Sequence, residues 1–153
     1  MIYEDRIETD LEAKAKKFQA KTFTVRDLDK DMLLTMPFDY PERKTLVEMS
    51  CDEFTCLCPF SGLPDFARIV ISYVPARKLI EMKSLKYYLY AFRNLKVYNE
   101  HAVNKIMDDL KKTLSPREIT VTGYFTSRGG ITNKVTASYI AGKSKKAKVK
   151  SKK

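Results

Sequence analysis

Two segments of the chain carry apolar residues at helical spacing. In the first, five apolar residues recur at steps of three and four: Leu85, Tyr88, Leu89, Phe92 and Leu95. This spacing predicts an amphipathic helix over residues 82–96. In the second, the same steps join Val103, Ile106, Met107, Leu110 and Leu114. They predict a helix over residues 100–114, with Asn99 as its N-cap and Ser115-Pro116 as its end.

Four other segments have the pattern of β-strands. Apolar and polar residues alternate along residues 44–51, 118–126 and 133–140, and residues 67–74 form a β-branched and aromatic run that ends at Pro75. Between the last two strands, residues 127–130 have the composition of a hairpin turn, because they contain Gly129 and Gly130.

The order strand, strand, helix, helix, strand, strand predicts an α+β protein. We expect one antiparallel sheet of four strands (ββααββ) with both helices on one face. Such a sheet has two open edges, which neighbouring copies would hide by joining into a ring. The predicted divisions are an N-terminal arm at residues 1–40, a single domain at 41–140, and a Lys-rich tail at 141–153.

The charge of the chain changes this picture little. The 153 residues carry a formal net charge of +10, but seven lysines in residues 141–153 supply all except +3 of it. We therefore expect a disordered basic tail on a nearly balanced domain. A non-enzymatic RNA-binding module would need basic and aromatic residues spread over the sheet, so nucleic acid is an unfavoured partner.

Cysteine content and hydropathy indicate the compartment. Three cysteines are an odd number, which argues against a disulfide framework and for a reducing cytoplasm. The acidic N-terminal residues lack the apolar core of a signal peptide, and no apolar run is long enough to span a membrane. We expect a cytoplasmic protein.

A stiff loop holds the most reactive pair of side chains. Cys58 and Asp65 flank a segment in which Pro59, Gly62 and Pro64 prevent a helix. A nucleophile and a proton carrier on one rigid turn form a plausible catalytic arrangement. The alternative is that Cys58 is a small buried apolar residue, as many cysteines are.

Other kinds of site have weaker support. Only two of the five glycines are adjacent, so there is no Gly-rich phosphate loop. Cys51, Cys56, Cys58 and His101 give the ligand number of a zinc site, but the Cys-x-Cys spacing is wrong for a structural knuckle, and we expect no metal.

Lys83 and Lys86 lie three residues apart near the start of the first predicted helix. They would share one face, close to N–H groups that attract phosphate. A solvated basic face is the alternative interpretation.

Four motifs in order resemble one known enzyme family. They are Glu53-Phe54-Thr55-Cys56-Leu57-Cys58-Pro59-Phe60-Ser61-Gly62-Leu63-Pro64-Asp65-Phe66, Glu81-Met82-Lys83-Ser84-Leu85-Lys86, Phe92-Arg93-Asn94 and Ser127-Arg128-Gly129-Gly130-Ile131. Residues 53–131 thereby resemble the NADPH-dependent 7-cyano-7-deazaguanine reductases, QueF, of the single-repeat type within the tunnel-fold superfamily. The resemblance implies reduction of a nitrile to an aminomethyl group by two NADPH, in queuosine biosynthesis for tRNA modification.

The resemblance also implies a role for individual residues. Cys58 matches the cysteine that adds to the nitrile carbon and forms a thioimide, and Asp65 matches the acid that moves protons to and from nitrogen. The positions that match substrate contacts are Ile80, Glu81, Met82, Asn99 and Glu100. Those that match NADPH contacts are Lys83, Ser84, Lys86, Arg128 and Gly129. Members form pentamers stacked as a decamer, with the site between subunits.

Two positions depart from the family pattern. Asn99 stands where the family usually has His, so a proton-carrying role there is lost or moved; Met82 replaces the usual Ser or Leu. One alternative uses the same Cys and Asp. QueF-like amidine-forming enzymes add ammonia to the nitrile of a base within a nucleic acid, but they lack the lysine motif seen here at Lys83 and Lys86.

Overall fold

The computed structural model describes residues 30–142, and an antiparallel sheet of four strands is its main element. In order across the sheet, the strands are β2 (Val47–Leu57), β3 (Pro64–Val74), β5 (Glu118–Arg128) and β6 (Ile131–Ile140). A two-stranded ribbon pairs β1 (Thr35–Pro37) with β4 (Lys78–Ile80). The predicted α+β class is confirmed, the four predicted strands form one antiparallel sheet, and the ribbon is an addition.

Strand β2 continues six residues beyond the predicted end at Cys51. Cys51 pairs with Ile69 and Phe54 pairs with Ala67, so β2 holds one extra residue between these pairs. This β-bulge moves the buried positions from odd to even numbers. The alternation therefore breaks at Cys51, which is why the pattern predicted too short a strand.

A second bulge lies where β5 meets β6. Phe125 pairs with Asn133 and Arg128 with Ile131, again with one extra residue on β5. The predicted turn over residues 127–130 is thus too long, because only Gly129 and Gly130 lie between the strands. Both glycines have positive φ, +55° and +80°, which suits a tight hairpin turn.

Two α-helices cover one face of the sheet. Helix α1 (Met82–Tyr90) continues as a 3₁₀ turn (Ala91–Asn94), and α2 (Asn99–Leu114) follows. The predicted helix over residues 82–96 is therefore too long. Leu95 is extended because its carbonyl accepts a hydrogen bond from the N–H of Leu57 at 2.8 Å.

The N-cap prediction for α2 is wrong. Tyr98 occupies the cap without a side-chain cap bond, and Asn99 is the first helical residue. The Asn99 side chain consequently belongs to the first turn of α2. Helix α1 has the stronger cap, the Glu81 carboxylate, which accepts hydrogen bonds from the N–H groups of Lys83 and Ser84.

The core lies between the sheet and the helices. Its largest fully buried side chains are Tyr73, Tyr88, Phe54, Phe92, Ile69, Ile71, Leu95, Ile106, Leu110, Leu114 and Ile119. Gly123 of β5 lets α2 approach closely, since a Cβ there would come within 2.8 Å of a methyl carbon of Val103. Among residues 30–142, neither helix has the length and apolar sequence needed to cross a bilayer.

Of the predicted arm and tail, the structure describes residues 30–40, 141 and 142. Within the predicted arm, Met32 and Leu33 are buried in the core and β1 pairs with β4, so residues 32–37 pack against the domain. The predicted disordered tail at residues 141–153 lies outside the described residues apart from Ala141 and Gly142.

Candidate active site

The Cys58 loop joins the end of β2 to the start of β3. The N–H of Cys58 donates to the carbonyl of Leu63 at 2.9 Å, and the N–H of Gly62 donates to the carbonyl of Cys58 at 2.8 Å. Gly62 adopts a φ of +71°, which L side chains rarely adopt. Backbone hydrogen bonds therefore fix the loop at both ends, as the prolines and the glycine predicted.

The Cys58 side chain is a partly exposed free thiol. A hydrogen bond from the Ser61 hydroxyl, with others from the N–H groups of Ser61 and Phe60 and from Arg128, lowers the pKa of Cys58 to about 7. A thiol in this range is substantially ionised near neutral pH, and the thiolate is the nucleophilic form. Cys58 is thus suited to attack an electrophilic carbon.

Cys56 has the opposite environment. It is fully buried, and burial, together with the nearby Asp65 charge, raises the pKa of its thiol to about 12. Its Sγ lies 4.0 Å from the carbonyl of Val97. Cys56 is therefore a core residue. Cys51 is a partly buried free thiol, and among residues 30–142 no three His, Cys, Asp or Glu side chains are placed to hold a metal ion.

Asp65 lies near the start of β3 and is only 8% exposed. Its Oδ1 forms an ion pair with Nη2 of Arg128 at 2.5 Å, and the same Nη2 donates to the carbonyl of Pro64 at 3.1 Å. Arg128 is the last residue of β5, and the β5–β6 hairpin therefore places its guanidinium beside the start of β3. Cys58, Asp65 and Arg128 thereby form one cluster.

A parallel bridge places the start of α2 beside this cluster. Leu57 pairs with Lys96, with the N–H of Leu57 donating to Leu95 at 2.8 Å and the N–H of Val97 donating to Leu57 at 3.0 Å. Because the bridge is parallel, the chain after Leu57 and the chain after Lys96 run in the same direction. Cys58 therefore lies beside the segment that leads to Asn99.

Glu100, one residue further, is exposed, and its Oε1 accepts a hydrogen bond from Nδ2 of Asn133 at 3.1 Å. Glu100 is consequently a carboxylate at the same end of the sheet as Cys58, held by β6.

Two of the remaining predicted residues lie beside another part of β2. Met82 and Lys86 line a groove of about 430 Å³ between α1 and β2, together with Met49, Ser50 and Cys51. Cys51 and Cys58 are seven positions apart in the chain, which corresponds to roughly 20 Å along an extended strand. The groove and Cys58 therefore lie at different parts of β2.

Glu81 and Ser84 are engaged within the fold. The Glu81 carboxylate accepts from the N–H groups of Lys83 and Ser84 at 2.8 and 2.6 Å. The Ser84 hydroxyl donates to the carbonyl of Glu81 at 2.7 Å and accepts from the N–H of Leu34 at 3.0 Å. Ser84 is 0% exposed. The two N–H groups expected to attract phosphate are thus already occupied, and the lysine side chains carry the local positive charge.

Ser61 and Asn133 were missed in the sequence as functional residues. Ser61 is the hydroxyl residue of the Cys-Pro-x-[ST]-Gly motif, which was a usable signal for a partner of the thiolate. Asn133 had no such signal, because only the β5–β6 pairing brings it opposite Phe125 and within reach of Glu100.

The chain matches a known protein family and curated relatives. A family model described as QueF-like protein matches residues 64–144. The NADPH-dependent 7-cyano-7-deazaguanine reductase of Caldicellulosiruptor bescii is 47% identical over 126 residues, covering 80% of this chain and 96% of that protein. The protein of the same name from Thermoanaerobacter pseudethanolicus is 43% identical over 126 residues, covering 82% of this chain and 95% of that protein.

A solved structure shares the fold. The crystal structure of the archaeosine synthase QueF-Like in the apo form superposes with a TM-score of 0.59 at 19% identity, covering 63% of this chain and 94% of that one. At this identity the similarity concerns the fold alone. The two relatives match over nearly their whole length. Together with the family model, they show that this chain belongs to the QueF family, the family of the NADPH-dependent 7-cyano-7-deazaguanine reductases.

Proposed function

We propose that the protein reduces the nitrile of 7-cyano-7-deazaguanine to an aminomethyl group with two NADPH, in queuosine biosynthesis for tRNA modification. The observation that carries this proposal is the cluster at the end of β2. A partly exposed thiol with a pKa of about 7 lies on a rigid loop whose other end carries a nearly buried carboxyl, Asp65.

The first step is addition of Cys58 to the nitrile. The thiolate sulfur bonds to the nitrile carbon, one π bond of the nitrile breaks, and its electrons move to nitrogen. The Asp65 carboxylate takes the thiol proton of Cys58 and delivers it to that nitrogen. The product is a neutral thioimide on Cys58, and no electrons have been exchanged with a reductant.

Glu100 is the proposed anchor of the deazaguanine ring. A guanine-like edge presents a ring N–H and an exocyclic amine, and one carboxylate accepts from both. The hydrogen bond from Asn133 holds the Glu100 carboxylate in place. Asn99 precedes it in the first turn of α2 and supplies a neutral amide for the substrate, in place of the usual His.

The residues proposed to hold NADPH are Lys83, Lys86, Arg128 and Gly129, and Ser84, predicted with them, supports them from within the fold. Lysine and arginine side chains suit the cofactor's phosphates, and Lys86 is exposed beside the groove between α1 and β2. When bound, NADPH supplies the hydride in each of two reductions. Ser84, which is buried, acts by anchoring α1 to the β1 side through Leu34.

The complete site is proposed to lie between subunits of a homo-oligomer, a pentamer or decamer. Ile80, Glu81, Met82 and the lysine pair would come from one subunit, and Cys58, Asp65 and Glu100 from its neighbour. The separation along β2 supports this division. Large exposed apolar side chains near Cys58 also favour a covering partner: Phe60 is 95% exposed and Ile131 75%.

The domain boundaries and location follow from the same proposal. Residues 41–140 form the catalytic domain, against which residues 32–37 of the arm at 1–40 pack, and the Lys-rich tail at 141–153 follows. Three free thiols, including the nucleophile, suit a reducing cytoplasm.

The test is a measurement of stoichiometry. Protein, 7-cyano-7-deazaguanine and NADPH are combined, and both cofactor oxidation and the aminomethyl product are quantified. We expect two NADPH oxidised for each product formed. A parallel reaction with ammonia and a nucleic acid that contains the nitrile base tests the amidine-forming alternative. Amidine formation without NADPH oxidation would overturn the proposal.

A further inference from the structure

Arg128 is committed to the Cys58 cluster before any cofactor binds. One nitrogen, Nη2, contacts both Oδ1 of Asp65 at 2.5 Å and the carbonyl of Pro64 at 3.1 Å. A residue used only to hold a cofactor phosphate has no need of these two contacts. The ion pair is also well shielded on the acid side, where the Asp65 side chain is 10% exposed.

The sheet register directs Arg128 to this position. Ala67 of β3 pairs with Phe125 of β5, and Arg128, three residues further along β5, donates to the carbonyl of Pro64, three residues before Ala67. The bulge between Phe125 and Arg128 adds a twist at this point. The Thr126 hydroxyl donates to the carbonyl of Phe66 at 3.3 Å, which ties the bulge to β3. The placement of Arg128 is therefore built into the fold.

We propose that Arg128 is a positioning residue for the Cys58–Asp65 pair and acts in thioimide formation, the half-reaction that uses no NADPH. This inference rests on the proposed function and assigns Arg128 a role separate from phosphate binding. Its guanidinium fixes the Asp65 carboxyl against the start of β3 and supplies a positive charge beside the thiolate.

The charges around Cys58 explain why a cation is needed. Within the described residues, Arg128 on β5 donates a hydrogen bond to the Cys58 thiol, and the charges of Cys58, Asp65 and Arg128 all act on Cys56, which lies beside them on β2. Cys56 is neutral, whereas the Cys58 thiolate and the Asp65 carboxylate carry like charges, which repel each other. Arg128 offsets that repulsion and keeps both groups on one side of the loop.

The experiment follows the mass of the intact protein mixed with 7-cyano-7-deazaguanine and no NADPH. Wild type is compared with Arg128→Met, Arg128→Lys and the control Lys134→Met. Lys134 is also a cation on this sheet, but it stacks on the Tyr124 ring at 5.3 Å. We expect adduct formation to slow by about tenfold or more in Arg128→Met, less in Arg128→Lys, and not in Lys134→Met. A wild-type rate in Arg128→Met would overturn the inference.

Alkylation of Cys58 by iodoacetamide across a pH range provides a readout independent of the substrate. The measurement uses a Cys51→Ser background, which removes the other partly exposed thiol, so that the alkylation measured is that of Cys58. We expect the midpoint to move to higher pH in Arg128→Met and to stay unchanged in Lys134→Met; an unmoved midpoint in Arg128→Met contradicts the inference. If wild type forms no adduct with the nitrile, the proposed function fails, and the alkylation profile alone decides the role of Arg128. If Arg128→Met does not fold, both measurements are made on Arg128→Lys. A wild-type rate of adduct formation together with a wild-type alkylation midpoint in Arg128→Lys would then overturn the inference.

Discussion

Leu57 and Lys96 form a parallel bridge, and this pairing assembles the site within the subunit. It joins two segments that lie about forty positions apart in the sequence and sends both in the same direction. Cys58 follows Leu57 directly, and the first turn of α2 begins three residues after Lys96. The proposed nucleophile Cys58 and the proposed ring anchor Glu100 therefore lie at one end of the sheet.

The first prediction concerns Ser61. Its hydroxyl makes the largest contribution to the lowered pKa of Cys58, about 7. The thiolate is the charged form, so its fraction rises as pH passes upward through this value, and adduct formation rises with it. In Ser61→Ala we expect the midpoint of the rate against pH to move upward, whereas Ser50→Ala, on the groove side of β2, leaves it unchanged. A fixed midpoint in Ser61→Ala would show that the hydroxyl does not stabilise the thiolate.

The second prediction concerns Asp65. Asp65→Asn keeps the shape of the side chain but removes both the proton carrier and the ion pair with Arg128. We expect the rate of thioimide formation to fall roughly 10²- to 10⁴-fold, measured by intact mass. Asp39→Asn removes an exposed carboxylate and is the control. Equal rates in the two variants would exclude Asp65 from the proton transfer.

The third prediction separates Glu100 from its partner. Glu100→Gln retains one acceptor oxygen but loses the negative charge, so the affinity for 7-cyano-7-deazaguanine should fall roughly 10- to 100-fold. Asn133→Ala removes only the hydrogen bond that orients Glu100, at 3.1 Å, and should weaken binding less. Calorimetry in the Cys58→Ala background measures both without covalent capture. A larger loss in Asn133→Ala than in Glu100→Gln would contradict the assigned roles.

The sequence pattern predicted the framework well because long, regular segments carry a clear period. The four strands, two helices and the rigid Cys58 loop all exist. The pattern failed where an extra residue shifts the alternation, as after Cys51, since a bulge inverts the buried positions. It also failed at Asn99, where the Leu95 hydrogen bond to Leu57, a tertiary contact, sets the end of one segment and the start of the next.

The candidate site was also predictable only in part. Cys58 and Asp65 were predictable because they flank one short loop, and the family motif named Arg128. The ion pair between Asp65 and Arg128 was not predictable, since it depends on the register of β3 against β5. The hydrogen bond that the Tyr88 hydroxyl donates to the buried Asp109, at 2.8 Å between the two helices, was likewise not predictable from the sequence.

The fourth prediction concerns stability. Gly123→Ala places a Cβ within 2.8 Å of side-chain carbons of Phe125 and Val103, in a packed core. We expect the free energy of unfolding to fall by about 1–3 kcal/mol, measured by urea denaturation. Thr132→Ala, at an exposed position of β6, should change it little. If Gly123→Ala unfolds like wild type, α2 does not pack against β5 as closely as described.

The central claim is that Cys58 forms a covalent bond to the nitrile carbon. The most direct measurement is the intact mass of wild type and Cys58→Ala after mixing with 7-cyano-7-deazaguanine without NADPH, followed by peptide mapping of the modified residue. We predict that wild type gains the mass of one ligand, that the modification maps to Cys58, and that Cys58→Ala gains nothing. A protein that gains no mass, or that carries the ligand on Cys51 or Cys56, would contradict the claim.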